Sequence, residues 1–168
     1  ATQLHQLLGT SYLQMKISND VVGIECAATL KNVYALASGI AHGLGYGDNF
    51  QSVLISNSTR EMNRFIKKIS KNKRNINHSA YLGDLLVTAY SLFSRNRRFG
   101  NMIGRGYTVK GAQIEMSMIA EGYYASESAF KVSKKIGSNT PVIDTVYQIL
   151  YLKKSPKKTF KKLSKKLD

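Results

Sequence analysis

The residue that first invites a chemical reading is Lys31. It is the only cation in the stretch 21–41, whose other members are mostly Val, Ile, Leu, Ala, Gly and Ser. A desolvated ammonium is costly unless it is paired or used. Desolvation also moves its pKa toward the working range, which suits proton donation and abstraction. Two other readings stand beside this one: an exposed stripe on the helix, or a partner carboxylate. Asp84 is one of only ten acids and lies in Leu82-Gly83-Asp84-Leu85-Leu86. It could orient Lys31, accept a substrate hydroxyl, or cap a helix after Gly83. Thr88 shares its face if the segment is helical.

Ser94-Arg95-Asn96-Arg97-Arg98 follows a turn, where a helix begins. Helix N-termini offer free N–H groups and a positive dipole end. Arginine adds planar, two-pronged donors for phosphate oxygens. The cluster reads as a phosphate clamp or as a solvated basic turn. Glu121-Gly122 carries little weight alone. Gly43-Leu44-Gly45-Tyr46-Gly47 is not a nucleotide loop, because the dinucleotide fingerprint follows a strand and opens a helix. Here a long helix precedes it, so the glycines read as a helix stop and turn. A single cysteine, Cys26, and three scattered histidines, His5, His42 and His78, argue against a metal site.

These residues need elements to hold them. The pattern predicts an all-α domain. A buried central helix is expected over about 20–42, capped by Asp20 or Asn19, with a second over about 49–70. The segment 82–90 is helix or strand by pattern. Further helices are expected to begin at Arg95, to span about 113–136, to run from Thr140-Pro141 to Leu152, and to start at Ser155-Pro156. Residues 12–17 partly alternate and read as a short strand. A lone strand cannot stand by itself, so it either packs on the helices or is the stub of a sheet. The domain reading is therefore 1–18 as a stub and 19–168 as the helical domain.

The chain of 168 residues carries a net charge of +15, and +7 of it falls within 151–168. Lysine pairs recur there every four residues, opposite Phe160, Leu163 and Leu167. Such a face suits nucleic acid or an anionic lipid surface, or is simply solvated. The stretch 21–41 is interrupted by Glu25, Lys31 and Asn32, which argues against a membrane span. A soluble, cytoplasmic protein is expected.

Several segments together resemble the NAD(P)-dependent sn-glycerol-3-phosphate dehydrogenases of the bacterial type. They are Ala28-Thr29-Leu30-Lys31-Asn32-Val33, the run from Gly39 to Asn49, Leu82 to Thr88, Ser94 to Gly100, Ile119-Ala120-Glu121-Gly122, and Thr140 to Tyr147. The resemblance covers about residues 7–152 and matches only the C-terminal half of that family. It implies a helical substrate domain like those of 6-phosphogluconate and glycerol-3-phosphate dehydrogenases. The strand at 12–17 would then remain from a missing N-terminal Rossmann domain. It implies reduction of dihydroxyacetone phosphate to sn-glycerol 3-phosphate with NADH or NADPH, feeding phospholipid synthesis, with no turnover by this chain alone and a possible homodimer. By the same resemblance Lys31 is the catalytic acid/base. Asp84, Thr88, Ser94, Arg95 and Asn96 contact substrate, and Arg95, Ile119 and Glu121 contact the cofactor. Asn57-Ser58 and Ala89-Tyr90 depart from the family pattern. The alternative is a non-enzymatic basic helical module that binds nucleic acid or anionic lipid.

Overall fold

In the computed structural model, which describes residues 1–168 except Ser117 and Ile119, one helix threads the middle of the domain. This is α2 (Val21–Gly43). Leu30, Val33, Leu36 and Ile40 on it are fully buried. Each such side chain contributes about 1.5–3 kcal/mol by leaving water. Around it pack α3 (Asp48–Ile69), α4 (Asp84–Tyr90), α5 (Arg95–Gly104), α7 (Glu121–Lys135) and α8 (Pro141–Leu150). The outer helices are α1 (Thr2–Leu8), α6 (Val109–Glu115) and α9 (Pro156–Ser164). A π-helical turn, Ser79–Gly83, leads directly into α4.

The closest pair is α2 with α5. A Cβ on Gly39 would strike the carbonyl of Arg97, and one on Gly100 would strike the carbonyl of Leu36. The two backbones touch because glycine stands at both places. This contact fixes the height of α5 along α2, and so fixes where the α5 N-terminus lies relative to Lys31. A Cβ on Gly122 would likewise meet the Asn32 carbonyl, which seats the start of α7 on the same turn of α2.

Two buried carboxylates lock the frame. Asp20 takes hydrogen bonds from Arg74 Nε at 2.6 Å and from the Tyr81 hydroxyl at 2.7 Å. It stands at the N-terminus of α2 but makes no side-chain cap there, because its oxygens are engaged by Arg74, Tyr81 and Asn72. Glu61, on α3, accepts the backbone N–H groups of Val142 at 2.8 Å and Ile143 at 3.0 Å. It thereby caps α8 from another helix. Thr140, the residue before Pro141, makes no side-chain cap and donates its hydroxyl to Asp144.

Two expectations are corrected, and one left open is settled. Residues 12–17 are not a strand, and residues 2–8 form a helix instead. No neighbouring strand is present among the described residues to complete a ladder, and a β-strand needs one. The expected single helix over 113–136 is two helices, α6 and α7, separated at 116–120. The segment 82–90 resolves as helix, entered through the π turn. The turn after α2 is as expected, with Gly45 at φ 86 in the left-handed region.

Candidate active site

Lys31 lies midway along α2, facing the first residue of α4. Its Nζ donates to both oxygens of Asp84, at 2.7 and 2.6 Å. The lysine side chain is 23% exposed and the aspartate 37%. The ammonium is therefore half-buried, not sealed. Of its three N–H donors, two are directed at Asp84, which leaves one for a ligand. Lys31 is thus both paired and open. The paired reading is the one observed, and the alternative of Asp84 as a helix cap is not, since α4 has no side-chain cap. Thr88 donates its hydroxyl to the Asp84 carbonyl at 2.6 Å, one turn along α4.

The next residue of α2, Asn32, joins three helices. Its side-chain Oδ1 accepts from Asn96 Nδ2 at 3.0 Å, and its Nδ2 donates to Glu121 at 3.4 Å. Asn96 is buried, and its own oxygen accepts the Gly122 N–H at 2.7 Å. Arg95 donates to the other oxygen of Glu121 at 3.4 Å and lies against Met118. Ser94 caps α5 by accepting the Arg97 N–H at 3.3 Å. Lys31, Asp84 and Thr88 thus form one bonded group, and Asn32, Arg95, Asn96 and Glu121 another, on consecutive residues of α2 at the corner where α2 packs against α4, α5 and α7; Ser94 caps α5 beside Arg95. Ile119 lies outside the described residues.

The basic cluster is only partly used. Arg95 reaches the corner. Arg98 is exposed and Arg97 is half-buried, with its Nε lacking a hydrogen-bond partner. Asn96 is committed to the frame: both ends of its amide hold helices together. In the sequence Asn32 stands out only as an interruption of the apolar stretch, and Glu121-Gly122 carries little weight. The one available signal was a polar amide beside a cation inside an apolar helix.

Arg95 and Glu121 stand on the exposed side of the corner, with side-chain exposures of 40% and 65%. Phe93, two residues before Arg95, is an apolar side chain 93% exposed, and Val87, beside Thr88, is 69% exposed. The arrangement offers an ammonium proton donor, a carboxylate to steady it, and an anion-attracting helix start with one arginine.

Comparison with known proteins identifies the family of this domain. A family model for the NAD-dependent glycerol-3-phosphate dehydrogenase C-terminus matches residues 20–161. This chain belongs to that family. A glycerol-3-phosphate dehydrogenase [NAD(P)+] of Exiguobacterium is 37% identical over 166 residues, covering 99% of this chain and 49% of the relative. That of Chlorobium chlorochromatii is 36% identical over 151 residues, covering 90% of this chain and 45% of the relative. The chain spans about half the length of the curated relatives it matches. Among solved structures, a glycerol-3-phosphate dehydrogenase from Coxiella burnetii superimposes with a TM-score of 0.91 at 30% identity, over 96% of this chain and 50% of that one. The all-α fold is thus the C-terminal domain fold of this family. No described helix is long and apolar enough to cross a membrane.

Proposed function

We propose that this chain is the substrate domain of an NAD(P)-dependent dehydrogenase that interconverts dihydroxyacetone phosphate and sn-glycerol 3-phosphate. The observation that carries the reading is the Lys31–Asp84 pair beside the start of α5. Family membership over residues 20–161 supports it. It displaces the alternative of a purely basic binding module, which rested on charge alone.

The substrate phosphate sits at the α5 start, against Ser94 and Arg95, where N–H groups and a guanidinium meet it. Its binding energy orients the carbonyl toward Lys31. The free N–H of Lys31 bonds the carbonyl oxygen. As a hydride adds to the carbonyl carbon, the π electrons pass to oxygen, and the oxygen takes the Lys31 proton. Asp84 holds the ammonium in place and steadies its charge. In reverse, neutral Lys31 removes the hydroxyl proton as the hydride departs.

The described residues hold no glycine-rich dinucleotide loop, so Arg95 and Glu121 fit the edge of a dinucleotide, not its main cradle. The dinucleotide, when bound, supplies the hydride. A preceding domain would dock on the apolar rim at Val87, Leu92 and Phe93, where these side chains stand in water. Residues 1–18 belong with that domain: α1 buries none of its residues, and Leu7 and Tyr12 are exposed. The family resemblance also carries a cytoplasmic location, a homodimer and a place in phospholipid synthesis.

The test is a chimera that joins the N-terminal half of the Exiguobacterium relative to this chain. It should oxidise NADH or NADPH in the presence of dihydroxyacetone phosphate, while this chain alone does not. Lys31→Met in the chimera should reduce turnover by about 10²–10⁴. A folded chimera that binds dinucleotide yet leaves dihydroxyacetone phosphate unreduced would contradict the assignment.

A further inference from the structure

A second concave site lies apart from Lys31, at the corner formed by α6, the end of α8 and the start of α9. It is a cleft of about 760 Å³ with an apolar floor that includes Tyr107, Val109, Ile149 and Tyr151. That volume falls within the range of small-molecule sites. Neither Lys31 nor Asp84 lines it, and its lining contains no carboxylate among the described residues.

Three lysines complete its wall: Lys110, Lys153 and Lys154. All three are exposed, and none forms an ion pair among the described residues. The Lys154 ammonium donates to the neutral side-chain oxygen of Gln148, at 3.1 Å. Lys153 is the sole non-glycine at positive φ among the described residues, at 52°. A lysine is thus held on the cleft wall in a conformation that side chains resist. The exposed lysines of α9 continue the basic surface outward, so the field draws anions toward this corner.

We propose that this cleft binds a single-chain anionic amphiphile, with its alkyl chain on the apolar floor and its headgroup against Lys110, Lys153 and Lys154. The two halves of the site select against simpler partners. A small anion has no use for the floor. A neutral amphiphile leaves the lysines unmatched. A nucleic acid would use the lysines of α9 and leave the floor empty, since it has no alkyl chain to place there. The proposal stands independently of the dehydrogenase reading.

The experiment is a titration of the chain with dodecyl phosphate below its micelle concentration, followed by amide NMR shifts and calorimetry. Saturable binding of one equivalent is expected, with shifts at Tyr107, Val109, Ile149 and Tyr151. Inorganic phosphate and dodecyl maltoside should not reproduce it. Val109→Trp, which fills the floor, should weaken binding about tenfold or more. The triple variant Lys110→Gln, Lys153→Gln, Lys154→Gln should do the same, with circular dichroism confirming that both variants fold. Replacing Lys157, Lys158, Lys161 and Lys162 by glutamine should leave affinity within about threefold. Absence of saturable binding overturns the proposal. So does equal binding of dodecyl maltoside, or loss of binding in the α9 variant with the triple variant unaffected. A short DNA duplex that bound through the cleft-wall lysines, when dodecyl phosphate did not, would assign the surface to nucleic acid instead.

Discussion

Asp84 grips the ammonium of Lys31 with both carboxylate oxygens, at 2.7 and 2.6 Å, across 53 positions of sequence. The pair joins the middle of α2 to the first turn of α4. Both partners are partly exposed, so its worth to stability is small, about 0–1 kcal/mol. Its worth to proton transfer is larger, since it fixes which way the one remaining N–H points. Asp84→Asn is therefore expected to shift the unfolding free energy by less than about 1 kcal/mol. In the chimera the same change should cut turnover by about 10²-fold or more. Urea denaturation and a turnover assay on one preparation separate the two effects.

The contact between α2 and α5 supports this site from below. Gly100 faces the Leu36 carbonyl with no room for a Cβ. Gly100→Ala forces the helices apart, at a cost of about 1–3 kcal/mol or more. It also lifts Ser94 and Arg95 away from Lys31, because they ride on the same helix. Denaturant midpoints should fall, and phosphate affinity should fall with them. A variant of native stability with native affinity would show that the helices are not in backbone contact.

Glu61 and Asp20 give stability opposite dependences on pH. Burial pushes the Glu61 carboxyl up to about 8, against the pull of the two α8 N–H groups. The folded chain then holds a proton that the unfolded chain releases near 4.5, so stability falls as pH rises from about 4.5 to about 8. Arg74 and Tyr81 hold the Asp20 carboxyl well below the usual carboxylate range. Its contribution is present above the unfolded value of about 3.9 and is lost as pH falls below it. Denaturation midpoints should decline between pH 5 and pH 8, and Glu61→Gln should flatten that decline. Glu61→Ala should cost about 1–3 kcal/mol or more, because it orphans buried N–H groups of Val142 and Ile143.

Lys153 stands at φ 52, where glycine is at ease and a side chain is not. Lys153→Gly is expected to stabilise the chain by about 1 kcal/mol. Thermal unfolding checks it: a lowered midpoint would show that the lysine side chain contributes more than its backbone costs.

Much of this corner was legible in the sequence because its residues break local patterns. Lys31 is a lone cation in an apolar helix, and Asp84 is a lone acid among leucines. Ser94 and Arg95 stand where a helix begins. The apolar period of α2 and α3 reported their lengths to within a residue or two. What escaped was set by tertiary contact. Asn32 became a hub only because α5 and α7 converge on it. Glu61 caps a helix about eighty positions away, which no local pattern can encode. The expected strand at 12–17 failed because alternation specifies a strand only where a neighbour completes its ladder. The break between α6 and α7 falls at 116–120, a run with no proline or glycine to mark it.

The most direct measurement is an amide NMR titration of this chain with sn-glycerol 3-phosphate, run beside Arg95→Ala. The account predicts saturable shifts at Lys31, Asp84 and Ser94–Asn96 that are lost in the variant. Saturable shifts that arise elsewhere and survive Arg95→Ala would contradict it.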